Sequence, residues 1–256
     1  MSSPSRSLLP LPSTARQVAP APDPNDFTFI VAGDNRAAGR GVPMPPTAGE
    51  IFTEARILRP AFVLWTGDTI YGSEEPVAEA ADEYAGFLKL AASASVPVYN
   101  APGNHEIFQR PEMQTLYEKK MGRLYGSFDY GNSHFIALDT ERIGKGANLG
   151  SQEMEWLKQD LEQHRASRNI FAFMHHPLFA KDAKDGFRVR SERDALHALF
   201  VRYGVKNVFS GHEHLFYKSV HQGVSYWVSG GSGAPADAMP DDGGFQHYLL
   251  VDVRGS

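Results

Sequence analysis

Apolar residues in this chain come in short unbroken runs, at 27–32, 61–65, 96–100 and 169–174, and each run gives way within a few residues to a polar motif. A run that is apolar at nearly every position, rather than at every second one, marks a strand buried on both faces and ending in a loop. Residues 50–58 and 77–94 lie between these runs with helical spacing, so strands and helices alternate and predict an α/β fold. The middle of the chain departs from that rhythm. Residues 125–130 and 134–139 flank Gly131-Asn132-Ser133, which predicts a β-hairpin. A helix should follow, capped by Ser151, with Met154, Leu157 and Leu161 forming one apolar stripe. Ser191-Glu192-Arg193-Asp194 opens another with a capping-box-like signal before Leu196, Leu199 and Phe200. Residues 208–253 read mostly as β-structure.

Three polar or glycine-rich stretches, 37–49, 181–190 and 232–244, are longer than ordinary connections and follow the motifs closely, so they are expected to rim a site. Residues 1–26 hold six of the 17 prolines and several serines, a composition that cannot bury enough surface to order itself. They are expected to form a flexible tail, leaving 27–256 as one domain without linker or repeat. The apolar piece at 8–12 is broken by proline and too short for the core of a secretory signal. The protein is expected to be exported if a leader has been removed, and cytoplasmic otherwise.

Composition narrows the function classes. Of 256 residues 42% are apolar, enough for a sizeable core, and no run approaches the roughly 18 residues of a membrane span. A soluble protein is expected. The net charge of −5 is spread without long like-charge blocks, which disfavours bulk nucleic acid as a partner. The absence of cysteine excludes disulfides, thiolate metal sites and a cysteine nucleophile, and leaves the compartment open.

The chemistry sits in five motifs at predicted strand ends: Gly33-Asp34-Asn35-Arg36, Gly67-Asp68-Thr69-Ile70-Tyr71, Gly103-Asn104-His105-Glu106, Met174-His175-His176-Pro177 and Gly211-His212-Glu213-His214. Their oxygen and imidazole donors are enough for two ions, and the lack of thiolate suits iron, manganese or zinc. Asp34 and Asp68 each follow a glycine at a strand end, where side chains project into the crevice at the carboxyl edge of a sheet. Either dipeptide alone would be an ordinary turn. In the third motif the amide oxygen of Asn104 can coordinate while the neighbouring His105 transfers protons. His212 and His214 would share one face of an extended segment, and a small backbone turn would aim them at two adjacent ions. Five metal-competent motifs at five strand ends are poorly explained as independent accidents, and the chain reads as a metal-dependent hydrolase.

Taken in order, Gly-Asp, Gly-Asp, Gly-Asn-His-Glu, Met-His and Gly-His-x-His resembles the calcineurin-like metallophosphoesterase superfamily over residues 27–253. The resemblance implies an α/β four-layer αββα sandwich of two mixed β-sheets with a dinuclear metal site at the sheet edge. Most members carry Asp-x-His in the first motif, where this chain has Arg36. Tyr71, three residues after Asp68, is a replacement candidate similar to the metal-binding tyrosine of the purple acid phosphatase branch, or else a packing aromatic. Carried over, the resemblance implies that Asp34, Asp68, Tyr71 and His214 hold a first metal, Fe(III), and that Asp68 bridges to a second. The second, Fe(II), Zn(II) or Mn(II), would take Asn104, His175 and His212. Without Tyr71 the first site would suit a more weakly held divalent ion such as Mn(II). His176 stands where the branch has serine, and either contacts substrate or hydrogen-bonds a neighbour.

Two cations roughly 3.5 to 4 Å apart would bind the ester oxygens and generate hydroxide from water near neutral pH, so no protein nucleophile is required. Hydroxide would attack phosphorus in line while His105 stabilises the transition state or protonates the leaving group. Arg36 either grips a substrate phosphate bidentately or is a solvated loop residue. Arg110, Arg188 and Arg190 are further candidates for steering an anion. The expected substrate is a small phosphomonoester, with phosphodiesters as the close alternative. If Arg36 marks a decayed site, the chain is instead a module that binds phosphate ligands without turnover.

Overall fold

The computed structural model describes residues 6–15, 19, 23, 25–72, 75–144 and 146–255. Two mixed sheets carry the architecture. In the first, β1 (Asp26–Ala32), β2 (Val63–Trp65) and β3 (Val98–Asn100) run parallel in that order, and β10 (Leu249–Arg254) pairs antiparallel with β1 at the outer edge. In the second, β5 (Ser133–Ala137), β6 (Asn169–Phe173), β7 (Asn207–Ser210) and β9 (Val224–Ser229) run parallel. Antiparallel β4 (Gly126–Tyr130) and β8 (Phe216–His221) close its two edges.

Alternation along each strand divides its side chains between two cores. Phe27, Phe29 and Val31 of β1, with Leu64 and Tyr99, face the other sheet, which answers with Phe128, Phe135, Phe171, Phe173 and Phe209. The intervening Ile30, Ala32, Val63, Trp65 and Val98 turn the opposite way. They lie under α1 (Thr47–Leu58), α2 (Val77–Ser93) and α4 (Pro111–Lys120), the last entered through the short α3 (Asn104–Ile107). On the outer face of the second sheet, Ile136, Ile170, Ala172 and Val208 meet Trp156, Leu157 and Leu161 of α5 (Ser151–Gln163) and Leu196 and Phe200 of α6 (Arg190–Tyr203). The layers therefore run α, β, β, α, as expected. Both faces of each sheet are covered, which is why the strands read as continuous apolar runs.

The interior between the sheets is aromatic. Phe29 stacks on Phe62 with centroids 5.4 Å apart, Phe62 meets Phe135 edge-on at 4.9 Å, and Phe135 stacks on Phe171 at 5.0 Å. Faces and edges engaged together leave little freedom for one sheet to slide over the other.

Several expectations need correction. Part of the supposed flexible tail is packed: Leu8 enters the inter-sheet core and Leu11 the core beneath the helices. The Leu8 N–H donates to the Ser127 carbonyl of β4 at 2.8 Å and the Leu11 N–H to the Val98 carbonyl of β3 at 2.8 Å, so this strap covers an edge strand of each sheet. Two leucines placed where edge strands need cover outweigh a proline-rich composition. The other tail residues lie mostly outside those described. Ser151 is the first residue of α5 rather than its cap, which is Gly150, and Glu153 in the first turn accepts from the Asp139 N–H at 2.8 Å. Ser191 likewise lies inside α6, whose cap position is Val189. Residues 208–253 are only partly β, with an irregular segment between β9 and β10 that contains one 3-10 turn at Pro240–Asp242. No helix among the described residues is long and apolar enough to cross a membrane.

Phe135 is fully buried at the centre of the aromatic layer. Phe135→Ala should lower unfolding free energy by about 3–5 kcal/mol, read from the midpoint of urea denaturation at unchanged slope.

Candidate metal centre

The loops after β1, β2, β3, β6 and β7 meet at one place. The Asp34 N–H donates to the Gly67 carbonyl at 3.0 Å, tying the first two motifs together within the first sheet. Across the sheets, the His212 N–H donates to Asp34 Oδ1 at 3.0 Å and His175 Nδ1 to the Thr66 carbonyl at 2.9 Å. Such proximity needs bare backbone. A Cβ on Gly67, which has φ +95°, would lie 2.8 Å from Gly103 Cα, and one on Gly211 would lie 2.1 Å from Asp34 Oδ2. Asp34, Asp68 and His212 have φ of +63°, +52° and +73°, a left-handed conformation uncommon for such side chains. Strain of this kind costs about 1–3 kcal/mol per residue and survives only where surrounding contacts over-determine it.

Four donor atoms converge at the heart of the site. His175 Nε2 lies 2.8 Å from Asn104 Oδ1, 3.2 Å from His212 Nδ1 and 3.4 Å from Asp68 Oδ1, and His212 Nδ1 is 2.9 Å from the same Asn104 oxygen. A carbonyl only accepts, so His175 carries its proton on Nδ1, toward Thr66. Burial lowers His175 below the ordinary imidazole value, and burial with the neighbouring His176 and His175 holds His212 well below it. Neutral rings leave His175 Nε2 as a lone pair aimed at oxygen lone pairs, a repulsive arrangement that a cation in their midst would make attractive. Ligands about 2.1 Å from one ion sit about 3 Å apart, the spacing found here. The donor set therefore fits a metal ion.

Asp34, Asp68 and His214 form the adjoining buried group, with one possible ligand atom from each within 4.8 Å of the others. His214 donates from Nδ1 to the Pro235 carbonyl at 2.8 Å, which presents Nε2 to the group, and burial keeps that ring below its ordinary value. Asp34 Oδ2 is buried and accepts no hydrogen bond. Burial and the Asp68 charge push the Asp34 carboxyl well above the ordinary carboxylate range, the mark of negative charge that lacks a counter-ion. Arg36 offsets it in part, its Nε 3.6 Å from Asp68 Oδ2. The partly buried Tyr71 ring lies 5.7 Å from that of His105, and the Tyr71 carbonyl is 2.5 Å from His105 Nδ1.

Buried carboxylates to which the sequence assigned no role, two of them inside the motifs, hold these loops. Glu106 accepts from the N–H groups of Asp68 at 3.0 Å, Thr69 at 2.6 Å and Gly103 at 2.9 Å, and from the Thr69 hydroxyl at 2.6 Å. Glu213 accepts from the N–H groups of Lys181 at 2.8 Å and Asp182 at 2.7 Å and so pins the rim. Glu141 takes His176 Nδ1 at 2.5 Å, and the His176 ring lies 3.9 Å from that of His212. His176 thus does bond a neighbour. Glu141 follows the apolar strand β5, the same cue that marked the other motifs.

Two cavities open on the centre. The larger, about 760 Å³, is lined by Arg36, Asp68, Asn104, His105, His212 and His214 together with residues of the 181–185 and 237–238 segments. The smaller, about 340 Å³, shares Asn104 and His212 and adds Phe108, Glu141, His176 and Arg188. Two of the three expected rim loops are therefore in place. The 37–49 loop lines neither cavity, and its Arg40 instead pairs with Glu79 of α2 at 2.6 Å. Arg110 binds the Glu75 carbonyl at 2.7 Å, and Arg190 begins α6; neither lines the cavities.

A sequence profile of the family described as calcineurin-like phosphoesterase matches residues 27–216. Serine/threonine-protein phosphatase CPPED1 of Homo sapiens is 29% identical over 195 residues, 71% of this chain and 62% of that protein. Purple acid phosphatase 15 of Arabidopsis thaliana is 27% identical over 155 residues, 54% of this chain and 28% of its own length. The chain thus spans less than two thirds of the length of these curated relatives. Among solved structures, purple acid phosphatase PPD1 from yellow lupin (Lupinus luteus) seeds has a TM-score of 0.65 at 19% identity, over 85% of this chain and 46% of that one. A dimetal phosphatase from Danio rerio has a TM-score of 0.64 at 17% identity, over 79% and 86%. These two likenesses establish a shared fold.

Glu106→Gln keeps the shape but turns one amide N–H₂ toward donors. It should cost about 1–3 kcal/mol of stability in thermal unfolding and reduce bound metal measured by elemental analysis.

Proposed function

The chain belongs to the calcineurin-like phosphoesterase family, and from that membership and the shape of the centre we propose that it is a dinuclear metal-dependent hydrolase of small phosphomonoesters. The observation that carries this reading is the convergence of Asp68 Oδ1, Asn104 Oδ1, His175 Nε2 and His212 Nδ1 beside the buried Asp34, Asp68 and His214. In it, Asp34, Asp68, Tyr71 and His214 would hold Fe(III), and Asp68, Asn104, His175 and His212 would hold Fe(II), Zn(II) or Mn(II). When bound, such a pair supplies Lewis acidity to the phosphoryl oxygens and lowers the pKa of a bound water.

The remaining chemistry falls to side chains. His105 lines the larger cavity and donates from Nδ1 to the Tyr71 carbonyl, so proton exchange with the leaving oxygen falls to Nε2. Arg36 reaches the same cavity from beside Asp68 and carries the charge that draws in and orients a phosphate. His176, oriented by Glu141, approaches substrate from the smaller cavity. One observation favours phosphodiesters as a second reading: the smaller cavity shares Asn104 and His212 with the larger and offers room for another substituent.

Metal-loaded protein should release 4-nitrophenol from the monoester faster than from the matching diester, and chelation should abolish both activities. The opposite preference would transfer the assignment to phosphodiesters, and silence toward both in metal-replete protein would leave a phosphate-binding module. His105→Ala should lower kcat by about 100- to 10,000-fold with metal content retained; loss of metal along with activity would refute its role in proton transfer.

Iron-loaded protein should show a visible charge-transfer band that Tyr71→Phe removes. A spectrum unchanged by the substitution would exclude tyrosinate ligation.

A further inference from the structure

The smaller cavity contains a group that hydrolysis of a bare phosphate does not need. Phe108, immediately after α3, is 40% exposed and lines this cavity with Gln109, Glu141, His176 and Arg188. Phe108 and Gln109 are consecutive left-handed residues, with φ of +43° and +57°. Bulky side chains rarely occupy that region, and two in succession persist only where other contacts enforce them.

Those contacts are present on both sides. The Phe108 N–H donates to the Asn104 carbonyl at 2.8 Å, which fixes the turn to a residue of the metal centre. Gln109 Nε2 donates to the Arg142 carbonyl at 3.2 Å, and its Oε1 accepts from the Gly144 N–H. Arg110 Nη1 donates to the Glu75 carbonyl at 2.7 Å. A backbone clamped in this way holds an aromatic ring at the wall of a cavity instead of letting it fold into the core. Planar rings continue along that wall, where His176, held through Nδ1 by Glu141, lies 3.9 Å from His212. At about 340 Å³ the cavity is at the small end of ligand sites, roughly 300–1,000 Å³, which suits one or two rings.

We propose that this cavity is a subsite for the aromatic substituent of the substrate, with Phe108 as its stacking platform, and that the preferred substrates are small aryl phosphate esters. The proposal rests on the phosphoesterase reading and specifies its substrate class. In the reaction, a water oxygen forms the new bond to phosphorus and the bond between phosphorus and the aryl oxygen breaks. The phenolic oxygen leaves with the electron pair and takes up a proton, giving phenol and inorganic phosphate. Fixing the backbone at Phe108 beforehand removes part of the ordering cost of presenting its ring to a ligand.

The test separates ring recognition from turnover. Calorimetric titration of metal-loaded protein with phenylphosphonate and cyclohexylphosphonate compares ligands of similar size that have no leaving group. Wild type should bind the phenyl compound about two- to tenfold more tightly, the range that aromatic pairing contributes. Phe108→Leu should bring the ratio to near one, and Phe108→Trp should increase it. If the Leu variant does not fold, the Trp variant decides: an increased ratio supports the platform and an unchanged one overturns it. A ratio near one in wild type, a ratio unaffected by Phe108→Leu, or binding of neither compound would overturn the subsite. Phosphate release from phenyl phosphate, followed in parallel, reports on the other reading. Ring preference without turnover would refute the hydrolase and leave the subsite standing, and turnover without ring preference would do the reverse.

Discussion

Aromatic packing between two sheets that share no hydrogen-bonded ladder is the constraint on which the centre depends. Asp34, Asp68 and Asn104 follow strands of the first sheet, whereas His175, His212 and His214 follow strands of the second. Metal ligation requires donors from both sheets to meet within a few tenths of an ångström. Since each backbone ladder stops at its own sheet, the spacing between them is set by the rings of Phe29, Phe62, Phe135 and Phe171. The strap at 6–15 adds backbone bonds to β3 and β4 at the other side of the interface.

Burial acts on the donor groups in two directions. It strips protons from His175, His212 and His214, making their lone pairs available, and it raises Asp34, whose charge then lacks compensation. Both effects work against the protein without an ion and in favour of binding one, so part of the folding energy is held in reserve at the site. The left-handed backbone at Asp34, Asp68 and His212 belongs to the same reserve. What keeps the arrangement from relaxing is a set of buried carboxylates, Glu106, Glu141 and Glu213, which collect N–H groups or an imidazole from the ligand loops and the rim.

Much of this was legible in the order of residues. Continuous apolar runs identified strands covered on both faces, and the glycine at the head of a motif marked a turn at a strand end; that Gly67 and Gly211 also permit close backbone approach came only with the structure. Asp34, Asp68, Asn104, His175, His212 and His214 are drawn together from positions up to 180 residues apart because each lies just past a strand end, a local property that propensity and pattern capture. Less was legible where a side chain had a choice of partners. Glu153 is drawn to Asp139 and not to the helix end, and Leu8 and Leu11 anchor a segment whose composition alone indicates disorder. Arg110 carries the same charge as Arg36, yet a carbonyl draws it away from the cavity.

The sequence by itself determined which donor types are available, that thiolates are excluded, and that the donors follow buried strands, since these depend only on composition and nearest neighbours along the chain. Tertiary structure alone decided which nitrogen of each histidine faces the centre, that Glu141 orients His176, and that Phe108 stands in a cavity instead of in the core. The physical reason is that orientation depends on hydrogen-bond partners brought from distant parts of the chain, as Thr66 is to His175 and Pro235 to His214, and no local pattern encodes which partner will arrive.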